Sequence, residues 1–227
     1  MNKYLTVAKV NFKKTTWISY LVAAICAFAM IVDTFLDIVL LKVSGDSTVS
    51  AYSMMYIVCL LAPILIASVN YSKMINIGVK KKIYFVGCFI NYIVFAAIIS
   101  LIGVLEHYLI DPVIGKHETV YGLISVFGWD TSVIGAFFSQ FAFLMLFQVI
   151  VHTLTFIQTK WYGWMTDILI VVIISVFTPI PALRAVEVFI FNMTIFAQPA
   201  IIHIVICLVL SVDFYSTNLF YLKNCNN

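Results

Sequence analysis

The sequence lacks the short motifs that enzymes of nucleotide, peptide and ester chemistry carry. It contains no G-x-x-x-x-G-K-[ST] loop for ATP phosphates, no H-E-x-x-H metal motif and no G-x-S-x-G nucleophile elbow. Its five cysteines are scattered and form no C-x-x-C pair, which argues against a zinc or disulfide framework. We therefore expect no enzymatic activity in this chain, and no cofactor or metal bound by it.

Charge is also scarce. Only 10% of the 227 residues are charged and 63% are hydrophobic, with a mean hydropathy of +1.09. This composition is typical of polytopic membrane proteins. The apolar runs are continuous, whereas the strands of a membrane barrel alternate over about ten residues. We predict an all-α fold in one membrane domain over residues 1–227, with membrane lipid and no nucleic acid among its partners.

Six apolar runs predict helices that cross a membrane, at about 20 residues per crossing. The spans are expected at about 16–41, 51–70, 83–105, 132–156, 164–178 and 199–221. We expect the first run to be retained, because no small-residue cleavage site follows it. The stretch 182–198 is apolar but is interrupted by Arg184 and Glu187. Re-entrant or surface half-helices are expected there, between spans five and six.

Residues 2–15 predict an amphipathic helix that lies along the membrane interface. Leu5, Ala8 and Phe12 recur at intervals of three and four, while Lys9 and Lys13 lie four apart on another face. Each lysine near anionic lipid adds about 1 kcal/mol of attraction. A disordered basic segment is the alternative, because the periodic pattern is short.

A strongly basic segment separates the second and third runs. Lys80, Lys81 and Lys82 are adjacent there, and each lysine at the centre of a membrane helix costs roughly 3 kcal/mol on insertion scales. They therefore mark a turn outside the membrane. Just before them, residues 74–79 (Met-Ile-Asn-Ile-Gly-Val) are mostly apolar but too short to span. A short apolar helix flanked by lysines indicates a contact for another protein.

The basic residues also predict the orientation of the spans. With six spans and both termini inside, the inner segments carry Lys3, Lys9, Lys13, Lys14, Lys73, Lys80, Lys81, Lys82, Lys160 and Lys223. The outer segments carry only Lys42, Lys116 and Arg184. This asymmetry follows the positive-inside rule. We expect a multi-pass protein of the cell (plasma) membrane with both termini in the cytoplasm.

Polar residues inside the predicted spans are candidates for a substrate path. Gln140, Gln148 and His152 lie on span four, and His203 lies on span six. Such residues either line a path or make ordinary interhelical hydrogen bonds, and the sequence leaves both open. A metal pair of the two histidines is disfavoured, because no cysteine or acid is spaced to complete a ligand set.

Asp33 and Asp37 lie four apart on span one and therefore on one helix face. Inside a membrane they would form an ion site or a proton relay. If span one projects beyond the bilayer, both acids are instead solvated near its outer end. We favour the second interpretation, because Asp37 lies only about a turn from Lys42.

Together these features resemble the membrane subunits of type-2 ABC exporters, the ABC-2 permease family. The resemblance rests on the basic lead-in 3–15, the connector 74–87, the long polar segment after span three and the broken stretch 182–198. In that family the connector has a glycine, a basic pair and an aromatic residue before span three. Those places are filled here by Gly78, Lys80, Lys81, Lys82, Tyr84 and Phe85, with lysine where arginine is common. The pattern is also similar to peptide-exporting permeases of Gram-positive bacteria, such as the phenol-soluble modulin exporters.

The resemblance implies a function. A separate ATPase subunit, which binds ATP and Mg²⁺, would receive in its cleft a coupling helix made of Met74, Ile75, Asn76, Ile77, Gly78, Val79 and Lys80. The half-helices in 182–198 would gate release on the outer side. The chain would work with a second permease, identical or homologous. It would move a hydrophobic or amphipathic substrate (peptide, toxin or drug) outward.

Two other classes of function remain open. An ion- or proton-coupled carrier or channel would use Asp33, Asp37 and His152, and the purified chain alone would then carry a flux. A non-transporting membrane scaffold or immunity protein would bind a peptide without moving it. A neighbouring gene for an ATP-binding cassette protein would favour the exporter.

Overall fold

The computed structural model describes residues 3–36, 47–49, 53, 55–114, 119–130, 132–158 and 161–224. The helices are α1 (Lys3–Leu36), α2 (Tyr56–Leu65), α3 (Tyr71–Asn76), α4 (Lys81–Leu109), α5 (Asp111–Ile114), α6 (Leu123–Val126), α7 (Val133–Ile157), α8 (Trp161–Phe177), α9 (Pro181–Phe191) and α10 (Ala200–Asn224). A first π-helical segment (Ile66–Asn70) joins α2 to α3, and a second (Asn192–Phe196) follows α9. The strands β1 (Ser47–Val49) and β2 (Thr119–Tyr121) form a short parallel ladder. Apart from this ladder, the prediction of a helical fold is confirmed.

Four of the described helices are long and apolar enough to cross a membrane. They are Tyr56–Asn76, Lys81–Leu109, Val133–Ile157 and the Ala200–Asn218 part of α10. These helices coincide with the spans expected at about 51–70, 83–105, 132–156 and 199–221. The prediction of a polytopic membrane protein is therefore supported by helix length and composition in these four places.

The first helix differs from the expectation. We predicted an interface helix over residues 2–15 and a separate span over 16–41, but α1 is one continuous helix from Lys3 to Leu36. The reason is local, because no glycine or proline lies in this stretch to interrupt the backbone hydrogen bonds. In the described part of the chain, α1 is not among the four helices long and apolar enough to cross. Asp37 and the side chain of Asp33 lie outside what the structure describes.

The connector also differs. The separate coupling helix expected over residues 74–80 is not formed. The second span continues through the first π segment into α3 and ends at Asn76, and α4 begins at Lys81. Met74, Ile75 and Asn76 are thus the last residues of a helix, and residues 77–80 form a tight turn, the connector turn. Gly78 produces this arrangement, because its backbone φ of 83° ends the helix.

The chain is broken between the fifth and sixth expected spans, at residues 178–180 beside Pro179 and Pro181. α8 ends at Phe177 and α9 begins at Pro181, and the two helices are bent by 116° at this break. Proline at the first helical position is compatible with the start of α9, since that position needs no backbone donor. We call α8, α9 and the second π segment the bent pair.

The core lies between α1, α2, α4, α7 and α10, with α7 packed against α2, α4 and α10. Large aromatic side chains fill the end of this core next to the connector turn, where Phe85 of α4 meets Phe156 of α7 at a ring-centroid distance of 5.4 Å. We call this the connector end. At the opposite, far end, Trp129 stacks on His203, near the start of α10.

Candidate functional site

The connector turn is a well-formed helix cap. The amide of Gly78 donates to the carbonyl of Ile75 (2.9 Å), and the amide of Val79 donates to the carbonyl of Met74 (3.1 Å). These two bonds are the pair that defines a Schellman motif, in which glycine takes the left-handed position. A Cβ on Gly78 would meet no atom within 4 Å, so the requirement for glycine comes from its backbone angle alone. The turn therefore has one defined shape.

The two sides of this turn face different surroundings. Met74 is packed in the core, whereas Ile77 at the tip is 75% exposed. An isoleucine left so exposed at a helix end is costly in water, because burying such a side chain is worth about 1.5–3 kcal/mol. The tip is thus an apolar point directed away from the bundle, and it is flanked by exposed Lys73 and Lys80.

Aromatic residues fasten the turn to the rest of the bundle. Tyr84, in the first turn of α4, donates its hydroxyl hydrogen to the carbonyl of Ile66 in the first π segment (2.6 Å). Tyr71 of α3 packs edge-on against both Tyr84 (5.5 Å) and Phe156 of α7 (5.2 Å). Both helices that meet at the turn are thereby held to each other, and α3 is held to α7 as well. In the sequence, Tyr84 is recognisable only as part of the connector motif, and no pattern there predicts these partners.

The start of α1 packs on α4 beside the turn. A Cβ on Gly87 would lie 2.8 Å from Cγ1 of Val7 and 3.2 Å from the carbonyl oxygen of Tyr4, so glycine permits this close approach. Asn11 accepts a hydrogen bond from Asn70 (3.0 Å), and its own amide contacts the sulfur of Cys88 at 3.5 Å. The N-terminal segment is therefore a packed part of the connector end.

The residues of the predicted interface helix divide between two surfaces. Ala8 is buried, on the same side of α1 as Val7 and Asn11. The other four are exposed, namely Leu5, Lys9, Phe12 and Lys13. The exposed set mixes apolar and basic side chains, as lipid contact requires, and the membrane role of this face stays a prediction.

Two grooves are lined in part by residues of the connector turn. One, of about 330 Å³, separates the start of α1 from the turn and is lined mainly by Lys3, Val7, Val79, Lys80 and Ile83. The other, of about 410 Å³, is lined by Val10, Asn70, Lys73, Met74, Asn76 and Ile77. Both grooves combine apolar walls with lysine, and the turn contributes residues to each of them.

The predicted substrate-path residues make hydrogen bonds between helices. Gln140 donates to the hydroxyl of Tyr56 (2.6 Å), and Gln148 donates to the carbonyl of Tyr92 (3.4 Å). The Nδ1 atom of His152 lies 2.6 Å from the hydroxyl of Tyr92. All three bonds join α7 to α2 or α4, and none of the three residues lines either groove.

His203 lies elsewhere, at the far end. Its two ring nitrogens face the carbonyl oxygens of Thr194 (2.6 Å) and Ser139 (3.1 Å). Trp129 stacks on its ring at 5.2 Å and donates its indole N–H to the carbonyl of Ile195 (2.9 Å). These contacts fasten the second π segment to α7 and α10. His203 is thus not brought together with His152. Trp129 is buried and anchors the second π segment.

Ionisable side chains gather on the polar segment at the far end. His107 lies 3.2 Å from a carboxylate oxygen of Asp111 and 3.6 Å from one of Asp130. Tyr108 donates its hydroxyl hydrogen to Asp130. These bonds tie the end of α4 to the loop before α7. Over the residues that the structure describes, no three His, Cys, Asp or Glu side chains are grouped as metal ligands.

Comparison with protein-family models, with curated proteins and with solved structures finds no match. The function must therefore be argued from the geometry of this chain.

Proposed function

We propose that this chain is the membrane-spanning subunit of an ATP-driven exporter, and that the connector turn receives the motion of a separate ATPase subunit. The supporting observation is the construction of the turn: an exposed apolar tip, Ile77, directly follows a helix whose Met74 is packed in the core. Displacement of the tip acts on α3 and α4 together, because both helices are bonded to the turn. Packed helices of this kind transmit displacement as rigid elements.

The proposal has six crossings, namely the four long apolar helices and the bent pair counted as one, with α1 as the sixth. α1 starts beside Gly87 near the connector turn and runs along α4, stacking Phe12 on Phe95 at 5.5 Å. α8 begins at the connector end, where Gln158 donates to Asp167 (3.0 Å), whereas α10 begins at the far end beside Trp129. The bent pair therefore carries the chain from one end to the other and counts as one crossing. With six crossings, the end of α10 lies on the same side of the membrane as the connector turn and the start of α1. We take this side as the cytoplasmic side of the cell membrane.

The filled interior of the bundle supports a second permease chain as partner. Gln140, Gln148 and His152 are bonded within the core, so the path for substrate forms between two bundles, identical or homologous. Aromatic side chains such as Phe138, which is exposed on α7, suit a hydrophobic or amphipathic substrate. ATP and Mg²⁺ are bound by the ATPase subunit, and this chain performs no enzymatic step.

At the far end, the bent pair is placed to gate release on the outer side. Its second π segment is attached to the bundle through the carbonyls of Thr194 and Ile195, which face His203 and Trp129. α9 itself buries no residue against the rest of the described chain. A helix fixed at one end and unpacked along its length can move without disturbing the core.

The test replaces the tip residue and compares it with a matched site at the other end. Ile77→Asp removes the apolar tip. Leu109→Asp makes the same kind of change at an exposed residue that ends α4 at the far end. Tagged full-length chains are purified in mild detergent from the native membrane, and the copurifying ATPase is identified by mass spectrometry and assayed for ATP hydrolysis.

We expect Ile77→Asp to lose tenfold or more of the copurified ATPase, since about 1.5–3 kcal/mol of apolar burial is lost on docking. The Leu109→Asp chain should retain it. Equal retention by both chains would contradict the role of the turn. If the wild-type chain brings down no ATP-binding subunit, the exporter proposal itself is wrong.

A carrier that works alone is the second candidate, and one observation favours it. Within the described part of the chain, several buried polar atoms along the facing sides of α4 and α7 have no hydrogen-bond partner, namely Asn91 Nδ2, Ser100 Oγ, Gln140 Oε1, Gln148 Oε1 and His152 Nε2. Buried polar atoms without partners are uncommon and call for an explanation. Proton or ion flux in vesicles that contain only this chain would support the carrier. Absence of both flux and an ATPase partner would leave the scaffold or immunity role.

A further inference from the structure

The groove between the start of α1 and the connector turn has the composition of a phospholipid site. Its walls carry two exposed lysines, Lys3 and Lys80, and three apolar side chains, Val7, Val79 and Ile83, around a volume of about 330 Å³. We call it the basic groove. A ligand that contacts both the lysines and the apolar walls needs an anionic group joined directly to an apolar chain.

The lysines of this groove are not neutralised from within the described chain. Two of the described carboxylates, those of Asp111 and Asp130, contact His107 at the far end, and no described carboxylate pairs with Lys3 or Lys80. Two like charges on one groove repel each other, and an anion between them relieves this repulsion. The groove therefore carries positive charge that an anionic ligand would balance.

The position of the groove selects the ligand. The connector turn joins Tyr56–Asn76 to Lys81–Leu109, and each of these helices is long and apolar enough to cross a membrane. A turn between two such helices lies where the hydrocarbon meets the headgroups. Lysines at this depth attract anionic lipid. Free phosphate would leave the valine and isoleucine walls uncovered, whereas a phospholipid covers them with the start of an acyl chain.

We propose that the basic groove binds one anionic phospholipid of the adjoining leaflet, with its phosphate between Lys3 and Lys80 and its acyl chain against Val7, Val79 and Ile83. Such a lipid joins α1 to the connector turn, which are otherwise separated by the groove. The proposal requires only that the turn lies at a membrane surface. It does not depend on the exporter function.

The experiment uses the full chain, purified and delipidated in a neutral detergent. Dioctanoyl phosphatidylglycerol is titrated, and binding is followed by native mass spectrometry and by the midpoint of thermal unfolding. Dioctanoyl phosphatidylcholine has the same acyl chains but no net charge, and it tests their contribution alone. Glycerol phosphate tests the headgroup without acyl chains. The variant Lys3→Gln/Lys80→Gln is compared with Lys9→Gln/Lys13→Gln, which removes two exposed lysines of α1 that do not line the groove.

We expect saturable binding of phosphatidylglycerol and at least tenfold weaker binding of the other two ligands. Each lysine contributes about fivefold in affinity, so the groove variant should lose roughly 25-fold and the control variant less than twofold. Equal losses in both variants would show general surface attraction and overturn the proposal. Unchanged lipid affinity in the groove variant would also overturn it. If that variant keeps lipid affinity but loses association with an ATPase, the groove is a protein contact.

Discussion

Replacing Gly87 by alanine should loosen the attachment of α1 beside the connector turn. The new Cβ would lie 2.8 Å from Cγ1 and 3.0 Å from Cβ of Val7, and 3.2 Å from the carbonyl oxygen of Tyr4. Val7 is branched at Cβ and has little rotamer freedom in a helix, so the relief must come from a shift of α1. Overpacking of this kind costs about 1–3 kcal/mol. We expect the midpoint of thermal unfolding, followed by tryptophan fluorescence in detergent, to fall by several degrees.

A double-mutant cycle separates this cause from a general effect of alanine. Val7→Ala removes both γ-carbons and alone should cost about 1.6 kcal/mol, at about 0.8 kcal/mol per buried carbon. In the Gly87→Ala/Val7→Ala double variant the alanine Cβ has more room, so the combined loss should be clearly smaller than the sum of the two single losses. The contact with the Tyr4 carbonyl remains, so the relief is partial. Strictly additive losses would refute the close approach of α1 and α4 at Gly87.

Three further substitutions test other contacts, each by the change in thermal midpoint of the full chain in detergent. Tyr84→Phe removes the hydrogen bond to the Ile66 carbonyl and should cost about 0.6–1.5 kcal/mol; an unchanged midpoint would contradict that bond. Trp129→Leu removes the stacking on His203 and the indole donor, and should cost more than Tyr84→Phe, about 3 kcal/mol. It should also increase proteolysis within the second π segment, and unchanged proteolysis would argue against the anchor. Gly78→Ala should cost about 1–2 kcal/mol through its positive φ, although its Cβ meets no atom; a neutral effect would mean that the turn adopts another shape.

The positions of the long helices could be predicted from the sequence because hydropathy and length determine them. Four of the expected spans coincide with helices that can cross a membrane, and the break before α9 lies beside Pro179 and Pro181. The prediction was wrong where it divided a long helix into separate functional segments. Lysines near residues 9–14 suggested a surface helix, but charge does not end a helix, and α1 continues through them.

The prediction of a separate helix in the connector was wrong for a related reason. Gly78 was recognised as part of a motif, and the sequence placed it inside a short helix. A glycine followed by a residue that can donate to the third-last helical carbonyl instead ends the preceding helix. The polar residues of α7 could be placed on a helix from the sequence, but their partners could not. Tyr56 and Tyr92 lie far from them in the chain, and a single sequence contains no signal for such pairs.

The unequal burial of the helices has a consequence for amide hydrogen exchange. About half of an 18-residue apolar stretch is buried in α4 and in α7, whereas α8 exposes nearly every side chain. Inside a bilayer an exposed helix keeps its own backbone hydrogen bonds, because no water is present to replace them. Its motion therefore consists of tilting as a whole and not of unravelling. Amides of α8 should stay protected from deuterium in lipid, while spin labels on its surface report the widest range of distances to α7.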